Sequence, residues 1–530
     1  MQDTVSASVL ATVAGAQAAD LPTRKAAPVQ YVKICDAYGA GFFYIPGTDT
    51  CLRVGGLVLA DAVVSNTGFR ANATGPIAIG ITGIGPVAIA GGSPVGMNFM
   101  TSSARDAVAW GALGRIELDA RTQSPWGTVR SFIRVDSYFG SGSTSNTGSL
   151  AGVVSAVAPT QVINTVAHPI EARESTILNK AFIQFAGITM GRIQSMFDFY
   201  ADAATYGGLR GSNQTVNGLA YTATFGGGFS ATLSIEDEVS HRQRPTVSSV
   251  VTAGGAGVFP ANAVNYLGTR MPDIIANLRV DQPWGSAQLS AAVHRVGIGM
   301  YNGAAGTPVA PFNSLLAKAD SLGFAVQGGV KFNLPMLAPG DNLWLQATYA
   351  KGAIGYVSGS NFAFVNGVNT STGYGVGLQR ISAGNGWQEG TADGDCVFTY
   401  ASSCDKSSAF ALTGVFTHYW TPTVKSWLGG SYYQVNYSGN ALNPIPTALA
   451  AGAGTFNLGV TNYKEFDLIA GLAWNPVRGF EIGTEFYWMH GIASRPVGLP
   501  NDHQLIANGF PAWKSQSDLI RGRLRMMRAF

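Results

Sequence analysis

The chain has 530 residues, of which 46% are hydrophobic and only 12% charged, against about a quarter charged in an average soluble domain, so water is not expected to be its only solvent. Its 33 basic and 30 acidic side chains leave a net charge of +3 with no basic block, which excludes the electrostatic footprint of a nucleic-acid-binding protein. No stretch of about 18 residues reads as an apolar helix free of charge and proline, so any passage through a membrane must be made by strands closed into a barrel.

Residues Ser6 to Ala19 are small and apolar and end in Ala16-Gln17-Ala18-Ala19, like the end of a secretory signal, although no basic stretch precedes them. Residues 1–19 are therefore expected to be a signal remnant. Four cysteines follow as two local pairs, Cys35 with Cys51 and Cys396 with Cys404. Neither pair has the C-x-x-C or nearby His of a zinc site, so disulfides formed in an oxidising compartment are expected, one of them closing an N-terminal segment over 20–51.

From the first strand, near Leu52 to Val64, the chain reads as hairpins. Between Asp106 and Arg121, the residues Arg115, Glu117, Asp119 and Arg121 alternate with Ile116, Leu118 and Ala120, and Ser124-Pro125-Trp126-Gly127 turns the chain back. The return strand puts Thr128, Arg130, Phe132, Arg134 and Asp136 on one face and Val129, Ile133 and Val135 on the other. Strands of the same type are predicted at Thr176–Gly187, Thr189–Met196, Gly218–Phe225 and Phe229–Asp237. Ile274 to His294 repeats the hairpin around Gln282-Pro283-Trp284-Gly285. Further strands are predicted at Gly323–Leu334, Leu343–Ala350, Ser407–His418, Val424–Tyr437, Lys464–Trp474, Phe480–His490 and Ser517–Phe530. Short turns alternate with long Gly/Ser/Ala/Asn-rich segments such as Ser65–Ser102, Gly140–Arg173, His241–Gly268, Lys351–Lys406 and Gly439–Thr461. The expected fold is all-β: an antiparallel transmembrane β-barrel over 52–530, with about sixteen strands, short periplasmic turns and long external loops. The last strand sets Ile520, Leu524, Met526 and Phe530 against Arg521, Arg523 and Arg525, as suits a closing strand whose terminal aromatic sits in the membrane interface.

The segment from Val32 through Cys35-Asp36-Ala37-Tyr38-Gly39-Ala40-Gly41-Phe42-Phe43-Tyr44-Ile45-Pro46-Gly47 to Cys51-Leu52-Arg53-Val54-Gly55-Gly56 closely resembles the start of the general porins of Alphaproteobacteria, and the ending from Gly522 to Phe530 is similar too. The resemblance implies a homotrimer of sixteen-stranded barrels in the bacterial outer membrane, in contact with lipid and lipopolysaccharide, whose third external loop folds inward to narrow the pore. Counted from Leu52, that loop is 197–216, with Asp198, Asp202 and Arg210 as constriction candidates. The opposite wall would carry Arg53, Arg115, Arg121, Arg130, Arg134, Lys180 and Arg192, with the acids Glu117 and Asp119 among them. Charges lining a pore set its ion preference, although many could equally be paired with one another away from the narrowest point.

No catalytic motif of the phosphate-loop, zinc-protease or hydrolase-elbow type occurs, and the six histidines are scattered, so neither enzyme chemistry nor a metal or cofactor is expected. The expected function is passive diffusion of small hydrophilic solutes and ions through a water-filled lumen. A surface adhesin or receptor on the same barrel is the alternative, and a soluble lectin-like protein would not need an apolar outer band.

Overall fold

A computed structural model describes residues 33–65, 108–141, 173–243, 264–301, 315–358, 394–398, 404–442, 462–493 and 515–530, with short strand segments and isolated positions between them. The expected signal remnant lies outside the described residues, as do large parts of the expected long loops.

Sixteen long strands close into one antiparallel barrel. They are β1 (Thr50–Ser65), β2 (Val108–Ser124), β3 (Gly127–Ser141), β4 (Arg173–Phe185), β5 (Ile188–Gln194) and β6 (Thr215–Gly226). Then come β7 (Phe229–Glu236), β8 (Asp273–Gln282), β9 (Gly285–Tyr301), β10 (Leu315–Asn333) and β11 (Asn342–Lys351). The circuit ends with β12 (Ser408–Thr421), β13 (Val424–Asn436), β14 (Tyr463–Val477), β15 (Phe480–Ala493) and β16 (Gln516–Ala529). Each pairs with its neighbours in sequence, and β16 returns to β1 in the register Leu57↔Ala529 to Ser65↔Arg521. Phe530 continues this ladder by exchanging backbone hydrogen bonds with Gly56, at 3.1 and 3.2 Å. Among the described residues no helix is long and apolar enough to cross a membrane.

Alternation decides the two faces. Along β16 the side chains of Ile520, Leu524 and Met526 are exposed on the outside while Arg521, Arg523 and Arg525 are buried on the lumenal side. Large outward residues such as Val58, Ile116, Leu278, Leu289, Leu412 and Leu428 make the apolar band. Outward aromatics stand toward its edges: Trp126, Phe225, Phe229 and Trp420 at the short-turn rim, and Trp110, Phe139 and Phe324 toward the long-loop rim. All the expected strands are present, but β10 starts at Leu315 rather than Gly323. Its extra residues put Lys318 and Asp320 on the outward face, so the apolar alternation that marks lipid contact stops before the strand does.

Both cysteine pairs are bonded, with Cα–Cα separations of 5.9 Å for Cys35–Cys51 and 5.7 Å for Cys396–Cys404. The first ties a short segment back onto β1, where Phe43 and Tyr44 pair with Leu52 and Cys51.

The seam between β1 and β16 is fastened by charge. Arg525 donates to both carboxylate oxygens of the buried Asp61, at 2.8 and 2.7 Å, and Arg523 lies 3.7 Å from the same group. Removing one partner of such a pair leaves an uncompensated buried charge, which costs roughly 3–5 kcal/mol. Asp61→Ala is therefore expected to weaken the barrel by about that amount in denaturant titration of the detergent-solubilised protein. Combining it with Arg525→Met should recover most of the loss.

Candidate functional site: the lumen and its inward loop

The loop that joins β5 to β6, residues 195–214 and here called L3, turns into the barrel instead of standing above it. Its backbone needs partners there, and polar side chains on successive strands provide them. Asn277 of β8 donates to the Met196 carbonyl at 2.5 Å, and Gln327 of β10 to the Phe197 carbonyl at 2.9 Å. Gln288 of β9 reaches the Asp198 carbonyl at 3.0 Å, while Gln346 of β11 accepts from the Tyr200 amide at 3.0 Å. Ser431 of β13 accepts from the Arg210 amide at 3.1 Å, Glu485 of β15 from the Tyr206 amide at 2.8 Å, and Arg523 of β16 donates to the Tyr206 carbonyl at 2.9 Å. With Glu236 of β7 accepting from the Met196 amide at 2.9 Å, L3 is thus fixed against the arc from β7 to β16. Gly211 is required where the loop meets the wall: its φ is +128°, and a Cβ would collide with the Gln346 amide.

The three charged loop residues expected at the pore are occupied otherwise. Arg210 is fully buried and donates through Nε and Nη2 to Glu465 of β14, at 2.5 and 2.6 Å, with its guanidinium 4.1 Å from the centre of the Tyr433 ring. Asp198 lies beneath the loop, where one carboxylate oxygen accepts from the Gln214 amide at 2.7 Å and from Gln194 at 2.5 Å. Burial pushes its carboxyl above the ordinary aspartate range, against the pull of those hydrogen bonds. Asp202 has a left-handed backbone, φ 55°, and staples the loop to itself by accepting from the Leu209 amide at 2.8 Å and from Asn213 at 3.1 Å. The reason is common to all three: a loop held inside a barrel must satisfy its own polar backbone, and its charged side chains are used for that.

The opposite wall keeps most of its expected residues on the lumenal face. Asp119, itself sealed from water, is gripped by Arg121 at 2.8 Å and by Arg130 at 3.0 Å, with Arg53 at 4.0 Å. Three guanidinium groups thus surround one carboxylate. Arg53 and Arg121 also sit over the Phe42 ring of the N-terminal segment, at 5.5 and 5.0 Å, and Arg130 sits beside the stacked Phe132 and Phe182 rings, at 5.2 and 5.4 Å from their centres. Higher up, Arg134 pairs with Glu117 at 2.6 Å, and Lys180 stands opposite Arg134 in the β3–β4 register. Arg115 is buried in a bidentate pair with Asp136, at 2.6 and 2.8 Å, with Asn179 as a third partner at 2.9 Å. Arg192 is the exception. It belongs to the outward set of β5 with Ile188 and Met190, and its Nε donates to the Leu178 carbonyl at 2.8 Å. The short β5 misled the count, because a single arginine cannot reveal which face it occupies.

Sequence reading missed the residues that seat the loop: Gln288, Gln346, Glu465, Glu481, Glu485 and Tyr206. Glu465 lies in a predicted strand, Lys464–Trp474, but nothing local points to a partner 255 residues away in the chain. Glu481 accepts from the Tyr206 hydroxyl at 2.7 Å and pairs with Lys425 at 2.9 Å. Among the described residues, no group of three or more His, Cys, Asp or Glu could hold a metal ion.

Arg210→Ala strands the Glu465 carboxylate in the wall. The expected result is a stability loss of roughly 3–5 kcal/mol in detergent, with noisier single-channel current as L3 loosens.

A profile of the family described as "Porin subfamily" matches residues 20–509. Porin Omp2b of Brucella abortus (strain 2308) is 26% identical over 290 residues, which cover 53% of this chain and 62% of that protein. Omp2b of Brucella melitensis is 25% identical over the same length, with the same coverage. The chain thus matches less than two thirds of these relatives' length. Among solved structures, the outer membrane channel DcaP of Acinetobacter baumannii superposes with a TM-score of 0.48 at 14% identity, covering 92% of this chain and 99% of that one. Matched by the family profile over most of its length and closed by sixteen strands with an apolar outer band, the chain belongs to the porin subfamily and is an integral β-barrel of the bacterial outer membrane.

Proposed function

We propose that the protein is a passive diffusion channel for small hydrophilic solutes, that its open path runs between L3 and the arc β1–β4, and that it favours anions. One observation carries the reading. Arg53, Arg121, Arg130, Arg134 and Lys180 line that arc against the part-exposed Glu117 and the sealed Asp119, while the acids of L3 are turned away or engaged. The three surplus positive charges, roughly 7 Å from a permeating ion, are worth about 1.8 kcal/mol even at the dielectric constant of water, or a ~20-fold preference. Low-dielectric walls strengthen this. Size is limited by the loop and not by the barrel, and the pathway needs no catalytic group.

We further propose that the chain assembles as a homotrimer through the outward face of β1–β5. That face carries Gly56, Ala60, Ala62, Ala112, Gly114, Ala120 and Ser131 at outward positions, and small residues allow another barrel to approach closely. Elsewhere the outer surface would meet lipid. At the long-loop rim, Arg270 and Lys318 lie near Asp320, a cationic setting suited to the phosphates of lipopolysaccharide.

In a planar bilayer under a salt gradient, steady ohmic steps with a reversal potential of anionic sign are expected. Neutralising Arg53 and Lys180 to Gln should move that potential toward zero, whereas Asp198→Asn should leave it in place. A folded barrel that passes no current would instead favour the adhesin alternative. For assembly, native mass measurement in mild detergent should give three chains. Gly114→Trp, at a position where a Cβ meets nothing within 4 Å of its own barrel, should give single folded chains.

A further inference from the structure

The described stretches 352–358, 394–398 and 404–407 between β11 and β12, here called L6, also turn into the barrel. Its first stretch ends in a single helical turn, α1 (Gly355–Ser358), whose residues are all buried, and its later stretch returns through the buried Asp395, Cys396 and Val397. The two stretches are joined by their backbones: Gly352 donates to the Ser407 carbonyl at 2.8 Å, and Ser407 to the Asp395 carbonyl at 3.0 Å. The Asp395 carboxylate then accepts from the Ile354 amide at 2.7 Å and from the Gln243 amide at 2.8 Å. It therefore binds L6 to the loop after β7 as well as to itself, and the Cys396–Cys404 disulfide closes the chain beside it.

What α1 touches on its other sides gives it a role. The Gly211 amide of L3 donates to the Val357 carbonyl at 3.0 Å, and Arg210 of L3 donates through Nη1 to the Ser358 carbonyl at 3.1 Å. The Tyr356 ring meets the Phe197 ring of L3 edge-on at 4.7 Å and lies flat against His241 at 3.9 Å. Its hydroxyl donates to Asp273, at the start of β8, at 2.7 Å; the same carboxylate faces His294 at 2.8 Å and His241 at 3.5 Å. Gly355 admits no side chain, because a Cβ would strike the His241 carbonyl. L3 therefore rests on L6, and L6 is fixed to the wall through Tyr356.

We propose that L6 is the second arm of the constriction: Tyr356 and Asp395 are positioning residues that set how far L3 projects into the lumen, and the Cys396–Cys404 disulfide holds them in place. This rests on the channel reading above, with pore size as its readout. The physical ground is that the Arg210 guanidinium bridges Glu465 on the barrel wall and the Ser358 carbonyl on L6, and only the first is part of the barrel. Loss of L6 contacts would leave the barrel closed and move the loop alone.

The test uses the full chain in planar bilayers, with the unheated electrophoretic mobility of the folded barrel as a control. Tyr356→Ala and the double change Cys396→Ser with Cys404→Ser are expected to keep that mobility, to raise single-channel conductance by roughly twofold as the narrowest section widens, and to add current fluctuation. Tyr356→Phe, which keeps the ring and loses the hydroxyl, should fall between them and the parent. Combining Tyr356→Ala with Arg210→Ala should add little to either alone, because both release the same loop. If Tyr356→Ala does not fold, Tyr356→Phe and the serine pair decide. Folded variants with the parent's conductance, or a lower one, overturn the proposal. Absence of any conductance from the parent chain would instead overturn the channel reading.

Discussion

Within the hydrocarbon of a membrane no water is present to satisfy a backbone amide, so every one of them must be paired inside the protein. The β1–β16 seam meets that demand where the first and last strands come together. Its register runs from Leu57↔Ala529 to Ser65↔Arg521, and the final residue, Phe530, is still exchanging hydrogen bonds with Gly56. Backbone pairing alone would tolerate a slipped register. A slip of one residue would turn Arg521, Arg523 and Arg525 toward lipid, where a cation costs roughly 2–4 kcal/mol at mid-depth. The Asp61–Arg525 pair adds a second penalty on slippage, because its geometry is bidentate and specific to one register.

The same accounting of polar groups governs the interior. Two loops brought into the lumen carry backbone amides and carbonyls that water no longer fully serves, and the wall answers with a row of Gln, Asn, Ser and Glu side chains from β8 to β15. These strands consequently have a lumenal face suited to holding protein. The arc β1–β4 is suited to water: its charges are partly exposed and in surplus. In the proposed channel, this asymmetry between the halves of the barrel is what would leave a pore beside a filled lumen.

The strands were legible in the sequence because lipid imposes a strict period on them. Arg115, Glu117, Asp119 and Arg121 alternating with Ile116, Leu118 and Ala120 admit one reading, and so do Arg521, Arg523 and Arg525 at the other end. Legibility faded wherever the solvent on the two sides became alike. The start of β10 is hidden because Lys318 and Asp320 lie beyond the apolar band, and the outward face of Arg192 is hidden because β5 is only seven residues long. The position of L3 as the third loop followed from counting strands. The orientation of its side chains did not, since Arg210 finds Glu465, Asp198 finds the Gln214 amide, and α1 finds L3 only after the barrel has brought distant segments together. His241 and His294 look unrelated in sequence, yet both face Asp273.

The proposed charge selectivity would follow from how the carboxylates are used. A loop acid that projected into the pore would attract cations, but one that also had to hold the loop in place could not do both, because the same lone pairs cannot serve water and a backbone amide. Asp198 and Asp202 are used for the second purpose. Asp119 is likewise enclosed by arginines, so its negative charge is spent on neighbours that outnumber it. Once the acids serve as structural acceptors, the arginines and lysine of β1–β4 are the charges left on that wall, and in the channel proposed above their excess would set the sign of the field that a permeating ion meets.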